Sequence, residues 1–209
     1  MPFRLVEPSE LTPVTVDEAK KQLRLETPDD DDQVERLIGA ATKYIEERCW
    51  RGLMQQQWEL VLPGFCGPSA LELPGWVRGQ FKMNEALKLP RGHLATLDEE
   101  DGPAVESVKY IDPNGVERTL DVGDYSVDNV SLPPVLRPAY GKSWPSTRDQ
   151  WDAVRILYTV GWGIDEVPED VKQAVLLAVS EMYEKRMPEI GEMPAVMALI
   201  GPYRLNEVG

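Results

Sequence analysis

Apolar positions change period along the chain, and each change predicts an element. Val16, Ala19 and Leu23 recur at helical spacing. Thr15 and Glu18 stand three residues apart before them, the pattern of a capping box, so a short helix should run to about Leu25. Thr27-Pro28 predicts a second helix, with Thr27 as cap and Pro28 in the first turn. Val34, Leu37, Ile38, Ala41, Tyr44 and Ile45 form its apolar stripe, and Gly52 is the expected stop. Asp29, Asp30, Asp31 and Asp32 then fall at the helix start, where the dipole favours carboxylates. A metal site would need further ligands converging from elsewhere, and none stands out.

From Gln55 the period drops to two. Trp58, Leu60 and Leu62 alternate with Glu59 and Val61, a strand stopped by Pro63-Gly64. Short segments at 71–74 and 87–90 have a similar shape. Between them, 75–85 is a polar and aromatic excursion, and 93–105 is a second one with an acidic tip at 98–101. Val108 to Ile111 and Val116 to Leu120 flank Asn114-Gly115, the signature of a β-hairpin. Tyr125 to Val127 and Val135-Leu136 are further short strands. Pro138, Gly141 and Pro145 break regular structure and leave Tyr140 and Trp144 on a loop. Val154, Ile156, Tyr158 and Val160 then alternate with Arg155, Leu157 and Thr159 as a strand ending at Gly161-Trp162-Gly163.

Helical spacing returns after Pro168. Val171, Ala174, Val175, Ala178 and Met182 make one stripe, and Leu176, Leu177 and Val179 widen it. A surface that wide predicts burial on two sides, one of them the chain's own core and the other a neighbouring subunit. Lys185-Arg186 suit the negative end of this helix, and Pro188 stops it. The run 194–203 is a short apolar helix or turn that by itself should add little core. The expected class is α+β: N- and C-terminal helices forming a small helical bundle, with an inserted antiparallel β-sheet or barrel-like region. As one domain over 1–209, the layout is helices at 12–52, a β-rich insert at 55–163, a C-terminal helix at 167–188 and a tail at 194–209.

Composition narrows the function. The chain has 209 residues with 42% hydrophobic content, enough for a real core. Its formal charge of −14, from 36 acidic and 22 basic residues, is the reverse of a free-standing nucleic-acid binder. No apolar run approaches a membrane span, and the first ten residues lack a signal-peptide core. Cys49 and Cys66 are too few for a disulfide framework, and Cys49 reads as a small core residue. His93 is the only histidine, which argues against a Cys–His site or a structural zinc. There is no phosphate-binding loop and no nucleophile elbow. Among the tryptophans, Trp58 reads as core, while Trp76, Trp144, Trp151 and Trp162 lie in or beside loops. There they would suit a sugar site or a protein interface equally.

The order and spacing of several motifs resemble the head–tail connector (adaptor, head-completion) proteins of tailed bacteriophages. The carriers are the run from Leu11 to Arg24, the helix-to-strand passage from Tyr44 to Leu60 and the hairpin from Val108 to Leu120. With them go Tyr140-Gly141, Trp144-Pro145, Arg148, Val154-Arg155, Tyr158-Thr159, Gly161 and Gly163, and then the C-terminal helix. The excursions at 75–85 and 93–105 are longer than the links usual in that family. The resemblance implies a structural virion protein, not an enzyme, without cofactor or metal. It implies a homo-oligomeric ring, commonly twelve-fold, docked under the portal protein, made in the host cytoplasm and placed in the virion neck. The ring would extend the DNA channel and carry the next neck or tail protein, a stopper or tail terminator. Genomic DNA would pass through the lumen without sequence-specific binding, and no membrane is involved.

On that reading Met197, Leu199, Ile200, Tyr203 and Leu205 are expected to dock the portal. Tyr140, Trp144 and Arg148 are expected to face another neck protein or an adjacent subunit. An enzyme, whose carboxylates would show raised pKa values in a pocket, is one open alternative, and two others stay open at this point. One is a monomeric β-rich binding module with a groove lined by Trp76, Trp144 and Trp162. The other is a neck stopper, which should be mostly β.

Overall fold

A computed structural model of the chain describes residues 3–65, 86–97, 103–185 and 193–205. The excursion at 75–85, the acidic tip at 98–101, the 71–74 segment, Cys66, Trp76, Arg186 and Pro188 lie outside the described residues. The chain divides into two compact units, one built from 1–8, 56–161 and 205–209, the other from 9–55 and 162–204.

The first unit is antiparallel β. Its larger sheet has the order β1-β2-β8-β4-β5 and is open, so no barrel closes. The strands are β1 (Phe3–Glu7), β2 (Gln56–Leu62), β4 (Val105–Ile111), β5 (Glu117–Thr119) and β8 (Val154–Val160). In β2 and β8 every second residue is buried, as the alternation requires. The register sets Trp58 opposite Tyr158, Leu60 opposite Ile156 and Leu62 opposite Val154, so the large side chains share one face. Val108 of β4 joins them across Ile156. Strand β1 carries no helix-like or clean strand pattern and was not expected; it exists by pairing with β2. Phe3 reaches Trp58 at 5.5 Å between ring centroids. The Arg91 guanidinium lies 4.8 Å from the Trp58 ring centroid and 5.6 Å from that of Phe3.

The smaller sheet has the order β3-β7-β6, from Leu87–Lys88, Val135–Pro138 and Tyr125–Asp128. Leu87, Leu89 and Leu136 are fully buried. The Tyr158 hydroxyl donates to the Pro90 carbonyl at 3.3 Å, so the unit's deepest phenol has a partner. The expected hairpin forms between β4 and β5. Asp112 closes it by accepting from the Asn114 and Val116 amides at 2.9 and 3.0 Å and from Arg118 Nε at 3.0 Å. Gly115 takes φ +85°, where a side chain would be strained and would also meet the Arg148 guanidinium.

The second unit is helical: α1 (Val16–Leu23), α2 (Asp31–Cys49), α3 (Glu169–Glu184) and α4 (Pro194–Ile200). The capping box is present, with Thr15 Oγ1 accepting from the Glu18 amide and the Thr15 amide donating to the Glu18 carboxylate. Helix α2 starts later than Thr27-Pro28 suggested. The Pro28 carbonyl accepts from Asp31 in a separate turn, and the helix begins at Asp31. It also ends before Gly52. Trp50 takes the left-handed conformation at φ 54° and donates to the Glu46 carbonyl. Glu46 secures this exit, its carbonyl accepting also from Arg51 and its carboxylate from the Leu53 amide.

The helical core holds Val34, Ile38, Ala41, Ile45 and Cys49 of α2 with Val171, Ala174, Val175, Ala178 and Val179 of α3. Each fully buried Ile or Val contributes about 1.5–3 kcal/mol relative to exposure. The wide apolar surface of α3 is explained within the chain, because α3 packs on α1, α2 and α4. Helix α4 adds more core than its length suggested, since Val196 and Ile200 are buried, as is Met193 just before it.

Candidate interaction surfaces

No cluster of potential metal ligands exists among the described residues. No helix among them is long and apolar enough to cross a membrane. Two of the four acids at the start of α2 have structural partners. Asp31 pairs with Lys20 Nζ at 2.6 Å, and Asp30 accepts from the Tyr183 hydroxyl at 2.8 Å. Cys49 is fully enclosed, and burial pushes its thiol up to about 11, far from a reactive thiolate.

What remains are surfaces. The loop after β7 separates the three residues grouped from sequence. Trp144 stacks on Phe65, centroids 4.6 Å apart and planes 5° from parallel, while Phe65 meets Tyr110 edge-on at 5.8 Å. The Arg148 amide donates to the Ile111 carbonyl at 3.0 Å, and its guanidinium lies over Gly115. Both therefore pin the loop to the sheet. Tyr140, by contrast, is fully exposed, as a contact residue must be in a free subunit. Trp151, one of the loop tryptophans suited to a contact surface, is exposed by 78% on the same loop. Its position just before the first buried residues of β8 is the signal that would have singled it out.

The C-terminal group also divides. Ile200 is fully buried. Met197, Leu199 and Tyr203 are half-buried against the helical core, and Tyr203 meets Trp162 edge-on at 5.9 Å. Leu205 falls with the β unit. The Trp-lined groove of the alternative reading finds no support in these contacts. Trp144 is engaged with Phe65, Trp162 with Arg51 and Tyr203, and Trp76 is outside the described residues.

The helical unit carries a groove of about 1030 Å³ between α2 and the end of α3. Leu37, Ala40, Tyr44, Met182, Tyr183 and Met193 line it together with as many charged or polar residues, Lys43, Glu47, Glu184 and Lys185 among them. Leu37 and Tyr44 sit one step around α2 from the buried stripe, so one helix serves two surfaces. In the β unit, the turn joining β6 to β7 projects Val130, 93% exposed, and Leu132, 54% exposed.

The described residues thus offer exposed aromatic and aliphatic side chains and an enclosed Cys49. Residues 13–72 match the model of the phage gp6-like head–tail connector protein family. The head–tail connector resemblance read from the sequence is thus shown by an independent match over that segment. The fold agrees over nearly the full length. A chain in the neck of an empty gene transfer agent (GTA) particle, computed with C6 symmetry, is 25% identical with TM-score 0.72, covering 98% of this chain and 95% of that one. A chain in the virion of a native GTA particle is 25% identical with TM-score 0.71 and the same coverages. A chain in the neck of a native GTA particle, computed with C12 symmetry, shares the fold at 23% identity and TM-score 0.65, covering 96% of this chain and 94% of that one. A search of curated proteins finds no match.

Proposed function

We propose that the chain is a structural subunit of a virion neck, a head-to-tail connector that forms a ring with other copies of itself. The observation that carries this reading is the agreement of fold over 98% of the chain with a neck protein, together with the connector match at 13–72. Exposed side chains of contact type, Tyr140 and Trp151 among them, agree with it. The chain works by holding position, not by catalysis.

The finer parts of the reading concern partners. The ring docks beneath the portal, continues the DNA channel and carries a stopper or tail terminator, with twelve copies. Met197, Leu199, Tyr203 and Leu205 are the portal-facing group, supported by incomplete burial of the first three. Ile200 supports them from within the core. Tyr140 is the contact residue of the loop after β7, with Trp144 and Arg148 holding that loop in place. A surplus of acidic side chains suits a channel that passes DNA without gripping it.

Light scattering of the purified chain, alone and mixed with the portal ring of the same particle, tests this. A stoichiometric ring complex is the expected result. A chain that stays monomeric and ignores the portal removes the proposal.

A further inference from the structure

We infer that Asn114 is a site of spontaneous modification, an asparagine that converts to aspartate or isoaspartate, and that the closed β4–β5 hairpin withholds it from reaction. Asn114-Gly115 is the one Asn-Gly pair in the chain. Glycine has no Cβ, so nothing on that residue hinders its backbone nitrogen from attacking the asparagine side chain before it. In that step Gly115 N gives up its proton and bonds to Asn114 Cγ. The Cγ–Nδ2 bond breaks, ammonia leaves with the proton, and a five-membered succinimide remains. Water then opens one of the two ring carbonyls. One opening leaves aspartate on an ordinary backbone, and the other leaves isoaspartate, whose backbone runs through the former side chain. Water is consumed and ammonia released, so neither enzyme nor cofactor takes part.

Asn114 is exposed, so water reaches the amide freely. What the fold withholds is the nucleophile. The Gly115 amide donates to the Asp112 carbonyl at 2.8 Å, and this bond engages the same proton that must leave before attack. The amides on either side are fixed as well, Asn114 and Val116 both donating to Asp112 Oδ1 at 2.9 and 3.0 Å. The Asp112 amide in turn donates to the Val116 carbonyl at 2.9 Å. Arg118 Nε donates to the other Asp112 carboxylate oxygen at 3.0 Å and keeps it in place. One residue, Asp112, therefore clasps the whole turn, and reaction waits until the clasp opens. Opening is local, because β5 is three exposed residues at the sheet edge with β4 as its neighbour. Conversion then works against reclosing. It adds a carboxylate two residues from Asp112, and isoaspartate lengthens the backbone of a turn that sets Lys109 opposite Thr119 and Tyr110 opposite Arg118.

The test ages the purified full chain in neutral buffer, with and without denaturing urea. Peptide mapping by mass spectrometry follows conversion at Asn114 and separates isoaspartate from aspartate. Hydrogen exchange of the Gly115 amide is measured on the same native sample. Both reactions need the same proton released, so the native chain should convert more slowly than the unfolded one by the factor that protects this amide from exchange, within about threefold. Asp112→Asn weakens the clasp and should speed native conversion by about tenfold, while the rate in urea stays that of the parent. Circular dichroism checks that this variant is folded; the parent's rates and protection decide alone if it is not. A native rate equal to the unfolded rate overturns the inference, as does a slowing that departs from the measured protection in either direction. A folded Asp112→Asn chain that converts no faster than the parent overturns it too. Each of these results leaves the neck reading standing, since the chemistry belongs to the free subunit.

Discussion

Replacing Trp144 with alanine separates an anchoring role from a contact role on the loop after β7. The indole lies flat on Phe65 at 4.6 Å, and Phe65 is itself wedged edge-on to Tyr110. A fully buried Trp→Ala change costs ~3–5 kcal/mol. Trp144 is half-buried, which brings the expected cost to about 2 kcal/mol, of which roughly 1 kcal/mol is the ring–ring geometry itself. For a chain of this length that corresponds to a melting shift of about 4–8 °C. Calorimetry or circular dichroism on the purified monomer reads it directly. Trp144→Phe keeps a stacking partner and should recover most of the loss. Tyr140→Ala touches nothing in the subunit, so it should melt within ~0.5 kcal/mol of the parent and show its effect only in assembly. A Trp144→Ala variant as stable as the parent, with assembly impaired, would refute the reasoning and make Trp144 a contact residue.

Other outcomes follow from the same geometry. Thr15→Ala removes the capping box of α1 and should cost ~1 kcal/mol in thermal unfolding. The Thr15 amide and hydroxyl hold the Glu18 carboxyl below its ordinary 4.5. Its stabilising effect is therefore complete above that value and disappears as pH falls through the folded midpoint, and Glu18→Gln should flatten that part of the stability–pH curve. Amides of Val116 and Asn114 and the Arg118 side chain hold Asp112 below the usual carboxylate range. An NMR titration should place its midpoint under 3.8, with loss of hydrogen-exchange protection at 114–118 in Asp112→Asn. In a Cys66→Ser background, Cys49 should resist thiol reagents at pH 8 and label fully once denaturant is added, because burial holds its pKa near 11. Tyr183→Phe removes the bond to Asp30 and should destabilise the helical unit by ~1 kcal/mol in urea.

The elements visible in the sequence were those whose signal is local. Thr15 and Glu18 specify their cap within four residues, Asn114-Gly115 specifies its turn, and the alternation in β2 and β8 states which face is buried. What escaped depends on distant partners. The five residues of β1 become a strand only because β2, whose paired residues lie 50 to 57 positions further on, supplies the ladder. The true start of α2 is set by the Pro28 carbonyl capturing the Asp31 amide, which competes with a cap at Thr27. Its true end is set by Glu46 holding a left-handed Trp50, a role that residue preferences would give to Gly52. The contact residues were partly legible for the same reason. Loop position marked Tyr140 as well as Trp144, but only the stack on Phe65 distinguishes an anchor from an exposed side chain. The apolar spacing of α4 did not reveal that Val196 and Ile200 turn inward while Met197 and Leu199 are left half-covered.

The most direct measurement of the central claim is a reconstruction of the neck of the particle in which this chain is made, without imposed symmetry. The neck-ring account expects a closed ring of this chain between the portal and the next neck protein. A complete, DNA-filled particle whose neck contains no density for this chain would contradict it.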